Sequence, residues 1–568
     1  MYVLTVEQMR AAEAKADANG LSYAQMMERA GKAVALALDA IESVAGRRVL
    51  ILVGPGNNGG DGLVAACHLQ QMGASVTCYT WNRERPDDDL LKAASAAGCS
   101  IRKAEEDAGW ATLREECQAA DVIVDALLGT GAGRPIGGML ADLLQVTRAC
   151  FIARRCPERA SGEMPRLLDP LVNSREPAVA PLVLAVDVPS GLNCDTGAAD
   201  PATLPADVTI TLGFPKRGLF RFPGAALVGK LLIGDIGISP DWVPNPNVHL
   251  VTAEMVAGKL PARPRNAHKG TFGKALIVAG SANYIGAPAL AASAAMRVGA
   301  GLVTLALADR IYPIVSAKLT EVTYLILPHV MGALIPDAIR VLSEHLDNYQ
   351  ALLIGPGLGQ EKETVRFVTE FLAGRKRTRP ASRSRIGFVP NESEADEGKR
   401  EDAGWTLPPL VIDADALNAL AQMDGWYRNI PAGSILTPHP GEMARLLKCD
   451  RGALEGDRVA LAQQAAQEWN QIVLLKGAYS VLASPDGQAY ILPFANPVLA
   501  TAGTGDVLAG AIVGLLAQGL DPLDAAMVGG FLHGLAAEEM EYSQEQSAGS
   551  VAGDLLPFLP AAIRALTG

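Results

Sequence analysis

The 568-residue sequence has no CxxC pair, few aromatic residues and no long apolar run. Its eight cysteines are scattered, several of them within apolar stretches, which favours buried free thiols over a disulfide framework or a zinc site. No apolar segment reaches the roughly 18 residues that a membrane-spanning helix needs. The N-terminal stretch VEQMRAAEAKADANG is amphipathic and charged, unlike a signal peptide. We therefore expect a cytoplasmic protein that does not associate with membranes.

The sequence also lacks an excess of positive charge. It has 49 basic and 61 acidic side chains, which give a net charge of −12. An acidic chain does not attract nucleic acid or anionic membrane in bulk, so any anionic ligand must be bound locally. Two segments, 154–180 and 374–408, combine charge with proline and are predicted to be solvated surface insertions. The basic part of the second is followed at once by an acidic block, so we expect no nucleic-acid partner.

With 49% apolar residues, the chain has enough material for several hydrophobic cores. Apolar runs typical of buried strands alternate with helical patterns, which predicts an α/β fold with mainly parallel sheets covered on both faces. A proline-rich stretch at 239–268 interrupts the alternation, and we place two domains at residues 1–240 and 241–568. The predicted strands are 47–54, 75–80, 121–129, 181–191 and 206–213 in the first domain, and 273–280, 302–307, 351–357, 409–417, 434–442 and 472–477 in the second.

Glycine-rich loops follow three predicted strands of the first domain. Asn57–Gly62 opens a helix, Asp125 precedes Gly129–Arg134, and Asp187 precedes Ser190 and Gly191. Parallel strands bring such ends to one edge of the sheet, where backbone N–H groups can face a ligand. Oxygen atoms of Asn, Asp and Ser suit a hard cation rather than zinc. Each loop alone could equally be a tight turn capped by Asn or Asp.

A similar series of loops follows the strands of the second domain. The turn Gly503–Asp506 precedes an apolar helical run, so Asp506 is either a helix cap or a base placed beside a phosphoryl group. A lone His439 in such a loop would usually be structural. The other loops of the series are 280–287, 355–359, 413–418, 437–442 and 476–480.

The motifs VGPGNNGGDGLVAACHL, DALLGTGAGRPI, AVDVPSGLNCDTG and TLGFPKRGLF resemble the NAD(P)H-hydrate epimerase domain. The resemblance implies a Rossmann-like three-layer α/β/α sandwich and a potassium ion held by Asn58, Asp125 and Ser190. It implies proton transfer by Asp187, with a structural aspartate as the alternative. Lys216 would meet a substrate phosphate or lie on the surface. The implied substrate contacts are Asn57, Asn58, Gly59, Gly60, Asp61, Gly129, Thr130, Gly131, Ala132, Gly133, Arg134, Pro135 and Asp187.

The second domain, with its GTGD, PHPGE, KGAYS and GPGLG motifs, resembles the ADP- or ATP-dependent NAD(P)H-hydrate dehydratase domain, of ribokinase-like fold. The resemblance implies that Asp506 deprotonates the substrate hydroxyl, that magnesium accompanies the nucleotide, and that ADP is the co-substrate in fused proteins of this kind. The implied substrate contacts are Ala287, Gly357, Gly359, His439 and Asp506, and the implied nucleotide contacts are Lys476, Gly477, Ala478, Tyr479, Ser480 and Gly505.

Together the two resemblances predict an enzyme that epimerises hydrated NADH and NADPH and dehydrates one epimer. We also expect a homo-oligomer, because many such α/β domains assemble. Two other interpretations remain open on the residues alone. One is a small-molecule kinase with an accessory N-terminal domain, and the other is a non-catalytic nucleotide-binding scaffold.

Overall fold

The computed structural model describes residues 1–85, 87–131, 135–155, 180–374, 405–450, 452, 456–544 and 548–567. Most of both predicted insertions, 154–180 and 374–408, therefore lies outside the described residues. The chain forms two compact units, Tyr2–Pro246 and Asn247–Gly568, with Met1 grouped with the second. No helix within the described ranges is both long enough and apolar enough to cross a membrane.

The first unit is built on a seven-stranded sheet in which every pair of neighbours is parallel, in the order β3-β2-β1-β4-β5-β6-β7. The chain reverses its direction of travel across the sheet between β1 and β4, and a ligand crevice is expected at such a switch point. The central strands are buried along nearly their whole length, as the apolar runs predicted. The strands are β1 Arg48–Val53, β2 Ser75–Thr80, β3 Ser100–Lys103, β4 Val122–Ala126, β5 Leu182–Val186, β6 Val208–Leu212 and β7 Lys230–Gly234.

Helices cover both faces of this sheet, which confirms the predicted Rossmann-like α/β/α sandwich. The first two helices begin with capping boxes, in which Thr5 pairs with Gln8 and Ser22 with Gln25. Five cysteines of the first unit are buried free thiols, as expected. The helices are α1 Val6–Ala18, α2 Tyr23–Ile41, α3 Asn57–Gln71, α4 Asp89–Ala96, α5 Ala111–Ala119 and α6 Met139–Arg155.

The second unit contains a ten-stranded sheet in the order β11-β10-β9-β14-β15-β16-β17-β18-β19-β8. All neighbours are parallel except the pairs that β18 makes with β17 and β19. β12 and β13 form a separate hairpin. The strands are β8 Val248–Leu250, β9 Lys274–Val278, β10 Leu302–Ala308, β11 Thr323–Leu327, β12 His329–Val330, β13 Ala333–Leu334, β14 Ala351–Ile354, β15 Leu410–Ile412, β16 Ile435–Leu436, β17 Ile472–Leu475, β18 Val481–Ala483 and β19 Ala489–Ile491.

Helices α8 (Gly286–Arg297) and α16 (Pro522–Gln544) pack against α15 (Thr504–Ala517), which is buried along most of its length. Close contact between α15 and α8 depends on glycines: a Cβ on Gly510 would lie 2.1 Å from the carbonyl oxygen of Ala291, and one on Gly514 2.7 Å from that of Ala295. The helices are α7 Ala253–Ala257, α8 Gly286–Arg297, α9 Tyr312–Ser316, α10 Ala338–Ser343, α11 Lys362–Leu372, α12 Ala414–Leu420, α13 Pro440–Leu447, α14 Arg458–Trp469, α15 Thr504–Ala517, α16 Pro522–Gln544, α17 Ala552–Leu555 and α18 Phe558–Thr567.

Three predicted strands, 181–191, 409–417 and 434–442, are too long. The first ends at Val186, where the loop that carries Asp187 begins. β15 ends at Ile412 and β16 at Leu436, and a helix follows each of them within a few residues. After β16, the ring of His439 accepts hydrogen bonds from the first turn, and Pro440 has the fixed φ of a first helical position. Local capping of the following helix therefore ends β16 earlier than its apolar pattern predicts.

Replacing Gly510 by alanine is expected to destabilise the second unit by about 1–3 kcal/mol, because the added methyl group collides with the backbone of α8. Calorimetric unfolding of the full chain measures the change. Gly553→Ala is the control, since no atom lies within 4 Å of a Cβ at that helical position. Equal stability of the two variants would contradict the close packing.

Candidate active sites

The first unit has a cavity of about 880 Å³ at the carboxyl edge of its sheet. Helices α1, α2 and α3 and the loops after β4, β5 and β6 surround it. Seven of the predicted contacts line it: Asn57, Asn58, Asp61, Gly129, Thr130, Gly131 and Asp187. Gly59 and Gly60 instead pack inside the unit, where a Cβ on Gly59 would lie 2.0 Å from the Gly54 carbonyl oxygen. Pro135 is outside this lining, and Ala132, Gly133 and Arg134 lie outside the described residues.

Asp187 and Lys216 form an ion pair beneath this cavity. The Asp187 carboxylate also accepts a hydrogen bond from the backbone N–H of Leu212, at 3.1 Å, and from the Thr211 hydroxyl. Asp187 has a φ of +66°, a conformation that non-glycine residues seldom adopt outside functional sites. Lys216 is only 1% exposed, so the expectation of a surface lysine was wrong. Its ammonium group is held by Asp187, the Thr211 hydroxyl and the Leu212 carbonyl oxygen.

Two further carboxyl groups face the same cavity. Burial raises the pKa of Asp61 well above its usual value, and the negative charges of Asp187 and Glu13 add to the rise. Burial also raises the pKa of Glu13, although Lys216 opposes the shift. Several carboxyls around one buried lysine cannot all ionise, because like charges at short range disfavour one another. The cavity therefore contains groups that can donate protons as well as one that can accept them.

The three residues predicted to hold potassium lie together beside this cavity. The Ser190 hydroxyl donates to Asp125 at 2.6 Å, and the Ser190 N–H donates to the other carboxylate oxygen at 2.8 Å. The Asn58 side-chain amide donates to the Leu128 carbonyl oxygen, while its own Oδ1 is buried without a hydrogen-bond partner. Oxygen donors of these three kinds suit a hard cation, and the Asn58 amide and the Ser190 hydroxyl meet at the Leu128 carbonyl oxygen.

In the second unit, Lys476 at the end of β17 is surrounded by carboxylates. Its ammonium nitrogen lies 2.7 Å from Asp413 Oδ1 and 4.0 Å from Glu442 Oε2. Asp413 is fully buried and also accepts a hydrogen bond from the Thr437 hydroxyl at 2.7 Å. Burial opposes the charge of Lys476, but Asp413 and Glu442 raise its pKa above the usual value. The lysine therefore stays charged at the strand edge.

Asp506 lies in the first turn of α15, directly after the left-handed Gly503. Burial raises the pKa of Asp506 to about 7, with Asp413 adding to the rise and Lys476 opposing it. Beneath this turn, His533 shares a 2.9 Å hydrogen bond with the Thr504 carbonyl oxygen, and burial lowers the pKa of His533 to about 4. A carboxylate with a pKa near neutrality is well suited to general-base catalysis.

His439 caps helix α13 rather than offering a free ring nitrogen. Its Nδ1 accepts from the Gly441 N–H at 2.9 Å, and its Nε2 lies 3.3 Å from Glu442 Oε1. Glu442 in turn accepts from the His439 N–H. Burial, with Asp413, raises the pKa of Glu442 to about 7 against the effect of Lys476. His439 can still meet a ligand through the exposed half of its side chain.

The predicted nucleotide loop, 476–480, is held from below by Arg458. The guanidinium group donates to the carbonyl oxygens of Lys476 and Ala478, at 2.9 and 2.8 Å. The Ser480 hydroxyl closes the turn by donating to the Gly477 carbonyl oxygen. Lys476 also lies beside Gly505, since a Cβ there would be 3.5 Å from its ammonium nitrogen. The structure thus brings together the two segments expected to bind nucleotide.

The predicted substrate contacts from the first strands also meet. A Cβ on Gly357 would lie 3.0 Å from the Cβ of Ala287, and φ at Gly357 is +64°. The N–H of Gly359 donates to Asp415 at 2.8 Å, and Asp415 contributes to the electrostatic environment of Asp506. Only glycine allows this loop to approach α8 so closely.

Sequence reasoning assigned no role to four residues that shape these sites: Glu13, Asp413, Glu442 and Arg458. Asp413 and Glu442 stand in loops that the sequence did single out. Glu13 lies in an ordinary amphipathic helix and Arg458 at the start of another, so no local pattern marks them.

Comparison with known proteins gives matches along nearly the whole chain. Residues 23–218 match the family described as YjeF-related protein N-terminus, and residues 275–377 and 399–557 match NAD(P)H-hydrate dehydratase. A solved structure, the ADP/ATP-dependent NAD(P)H-hydrate dehydratase of Bacillus subtilis co-crystallised with ATP and Mg²⁺, is 30% identical. It covers 56% of this chain and 99% of its own, with a TM-score of 0.45.

Three relatives carry the name bifunctional NAD(P)H-hydrate repair enzyme Nnr. The Moorella thermoacetica protein is 37% identical over 100% of this chain and 97% of its own length. The Thermofilum pendens protein is 34% identical over 97% and 94%, and the Escherichia coli protein 32% identical over 96% and 90%. These matches confirm both resemblances and show that the chain belongs to the bifunctional NAD(P)H-hydrate repair enzymes, with an epimerase-type N-terminal domain and a dehydratase domain.

Proposed function

We propose that residues 1–240 interconvert the R and S hydrates of NADH and NADPH, and that residues 241–568 dehydrate the S form while ADP is converted to AMP and phosphate. The observation that carries this proposal is the pair of strand-edge sites. Each contains a lysine paired with a carboxylate and, nearby, a second carboxyl whose pKa is raised. Two acid–base sites in one chain fit two successive reactions on one substrate.

In the epimerase domain, Asp187 would accept a proton as the configuration at C6 of the hydrated nicotinamide ring changes. Lys216 fixes the orientation of the carboxylate, and the strained backbone at Asp187 supports a functional position. Loop 57–61 and loop 129–135 would bind the substrate. Their support is that the described part of both loops lines the cavity at Asn57, Asn58, Asp61 and Gly129–Gly131.

Potassium would be held in this domain by Asn58, Asp125 and Ser190, and the orphaned Oδ1 of Asn58 supports the assignment. When bound, the ion would supply a fixed positive charge that organises the oxygens of the loops. The side chains of the protein would carry out the proton transfers themselves.

In the dehydratase domain, Asp506 would remove the proton of the C6 hydroxyl, whose oxygen then attacks the terminal phosphorus of the nucleotide. Phosphorylation turns a poor leaving group into a good one, and loss of phosphate together with a ring proton regenerates the dihydronicotinamide. Lys476 and Gly505 would bind the nucleotide with Gly477–Ser480, while Ala287, Gly357, Gly359 and His439 would contact the substrate. The meeting of these segments beside Asp506 supports the assignment.

Magnesium would accompany the nucleotide and neutralise its phosphates, as is general in phosphoryl transfer. In the described ranges, no group of three His, Cys, Asp or Glu side chains could by itself hold a metal ion. We therefore assign magnesium to the phosphates of the nucleotide rather than to a preformed protein site.

We further propose that the protein acts in the cytoplasm and as a homo-oligomer. The free buried thiols of the described residues fit a reducing compartment. The partners would be the small molecules NADH hydrate, NADPH hydrate and ADP.

The test is to incubate the purified protein with separated R and S hydrates. Without nucleotide, the R form should convert to S, as followed by chromatography. With magnesium and ADP, both forms should regain the absorbance of dihydronicotinamide, and a parallel reaction with ATP measures the nucleotide preference. Absence of any recovery with either nucleotide would overturn the proposal and favour a small-molecule kinase.

Replacing Lys216 by methionine is expected to destabilise the first unit by about 3–5 kcal/mol, because it leaves the Asp187 carboxylate buried without its cation. Urea unfolding measures the loss, and Lys230→Met, at an exposed position of β7, is the matched control. Combining Lys216→Met with Asp187→Asn should cost less than the sum of the single changes. Additive costs in this double-mutant cycle would show that the pair does not interact.

Dehydration should depend on pH through Asp506. A base works only when deprotonated, so kcat/KM should fall about tenfold per pH unit below pH 7 and level off above it. Asp506→Asn should lower kcat by about 10²–10⁴-fold, whereas Asp337→Asn, at an exposed position of the same unit, should leave it unchanged. If kcat/KM of Asp506→Asn fell below pH 7 as it does in the wild type, the assignment would be contradicted.

A further inference from the structure

The carboxyl groups that line the epimerase cavity are of two kinds. The Oδ1 atom of Asp187 is fully engaged, with Lys216, the Leu212 N–H and the Thr211 hydroxyl all directed at it. Asp61, one turn into α3, lines the same cavity, but no hydrogen-bond partner for its carboxyl is found in the described part of the chain. A cavity-facing carboxyl without a protein partner contributes nothing to stability, which points to a role toward a ligand.

Burial and the surrounding carboxylates favour the neutral, proton-donating form of Asp61. Burial raises the pKa of Asp61, Asp187 and Glu13 raise it further, and the opposing cation, Lys216, is already bound to Asp187. Arg10 and Glu28 are the other charged residues of the described cavity wall. Arg10 acts on Glu13, and Glu28 Oε1 lies 2.8 Å from His68 Nε2. A carboxylate paired with a cation, beside a carboxyl whose pKa is raised, is the usual arrangement of a catalytic base and acid.

Glu13 is the competing candidate, since it also faces the cavity. Lys216 and Arg10 both favour its ionised form, whereas Lys216 is the cation that chiefly opposes the raised pKa of Asp61. Asp61 also lies one helical turn after Asn57, near the start of α3, where backbone N–H groups can face a ligand. The geometry therefore favours Asp61.

We propose that Asp61 is the general acid of epimerisation and that it protonates the C6 hydroxyl of the hydrated nicotinamide, which rests on the proposed function of this domain. The C6–O bond breaks, its electron pair stays on the departing water, and the lone pair of the ring nitrogen forms the N1=C6 bond. A water molecule then adds to the opposite face of C6. Asp187 accepts its proton, and transfer of one proton from Asp187 to Asp61 restores the starting state.

The test compares Asp61→Asn with the wild type in nucleotide-free conversion of the R to the S hydrate. The amide keeps the size of the side chain but cannot supply the proton, so kcat should fall by at least about 100-fold while KM changes by less than about threefold. The wild-type rate should decline at high pH as the acid ionises, and this high-pH limb should be absent from the pH profile of the variant. Asp17→Asn, at an exposed position of α1, is the control and should leave the rate unchanged.

Dehydration of the purified S hydrate checks that the Asp61→Asn chain is folded. A variant with kcat within threefold of the wild type, or with only KM altered, would overturn the acid role while leaving the proposed epimerase intact. Loss of the high-pH limb in Glu13→Gln instead of Asp61→Asn would assign the acid to Glu13. A wild type that does not interconvert the hydrates would overturn the proposed function itself.

The bond that breaks can be followed separately in water enriched in ¹⁸O. If the C6–O bond breaks, each enzymatic inversion carries one solvent oxygen into the C6 hydroxyl, and mass spectrometry should find label in the S product from the first turnover. Inversion that leaves the original oxygen in place would indicate ring opening and would overturn protonation of the hydroxyl by Asp61.

Discussion

A lysine held among carboxylates is the interaction on which both sites depend. Lys216 neutralises Asp187 in the first unit, and Lys476 neutralises Asp413 in the second. Each lysine stabilises one ionised carboxylate next to it, and the charge of that carboxylate then disfavours ionisation of the next one, Asp61 or Asp506. One cation thus gives each site a carboxylate that is fixed and a carboxyl that can exchange its proton.

At the carboxyl edge of each sheet, a glycine that follows one strand allows its loop to pack closely against the loop after the neighbouring strand. A Cβ on Gly54, after β1, would lie 1.8 Å from the Leu127 carbonyl oxygen, and one on Gly355, after β14, would lie 1.8 Å from the Asp413 carbonyl oxygen. In both units the contacted loop follows the neighbouring parallel strand. The ligand loops are therefore brought together by backbone contacts that no other residue type would permit.

The sequence was sufficient to predict the α/β fold, the order of the central strands along the chain and the loops at their ends. Long apolar runs such as the one at β1 indicate buried strands. The glycines that follow these runs indicate the carboxyl edge of the sheet, where a ligand is expected. β16 has only two residues, and so short a strand cannot be recognised in the sequence beside the capping motif of the helix that follows it. The burial of Lys216 depends on a partner 29 positions away, and Glu13 reaches the cavity only through the packing of α1. Such tertiary contacts leave no local pattern.

The edge strand β8 has a consequence for the order in which the protein folds. β8, at Val248–Leu250, lies beside β19, at Ala489–Ile491, and pairs with it in parallel. During synthesis, this strand leaves the ribosome about 240 residues before its neighbour, so the sheet of the second unit closes only after nearly the whole chain has been made. The first unit, whose sheet ends at Gly234, can fold long before that. The epimerase half of the chain is therefore expected to mature first, and interrupted translation would leave it without its companion dehydratase.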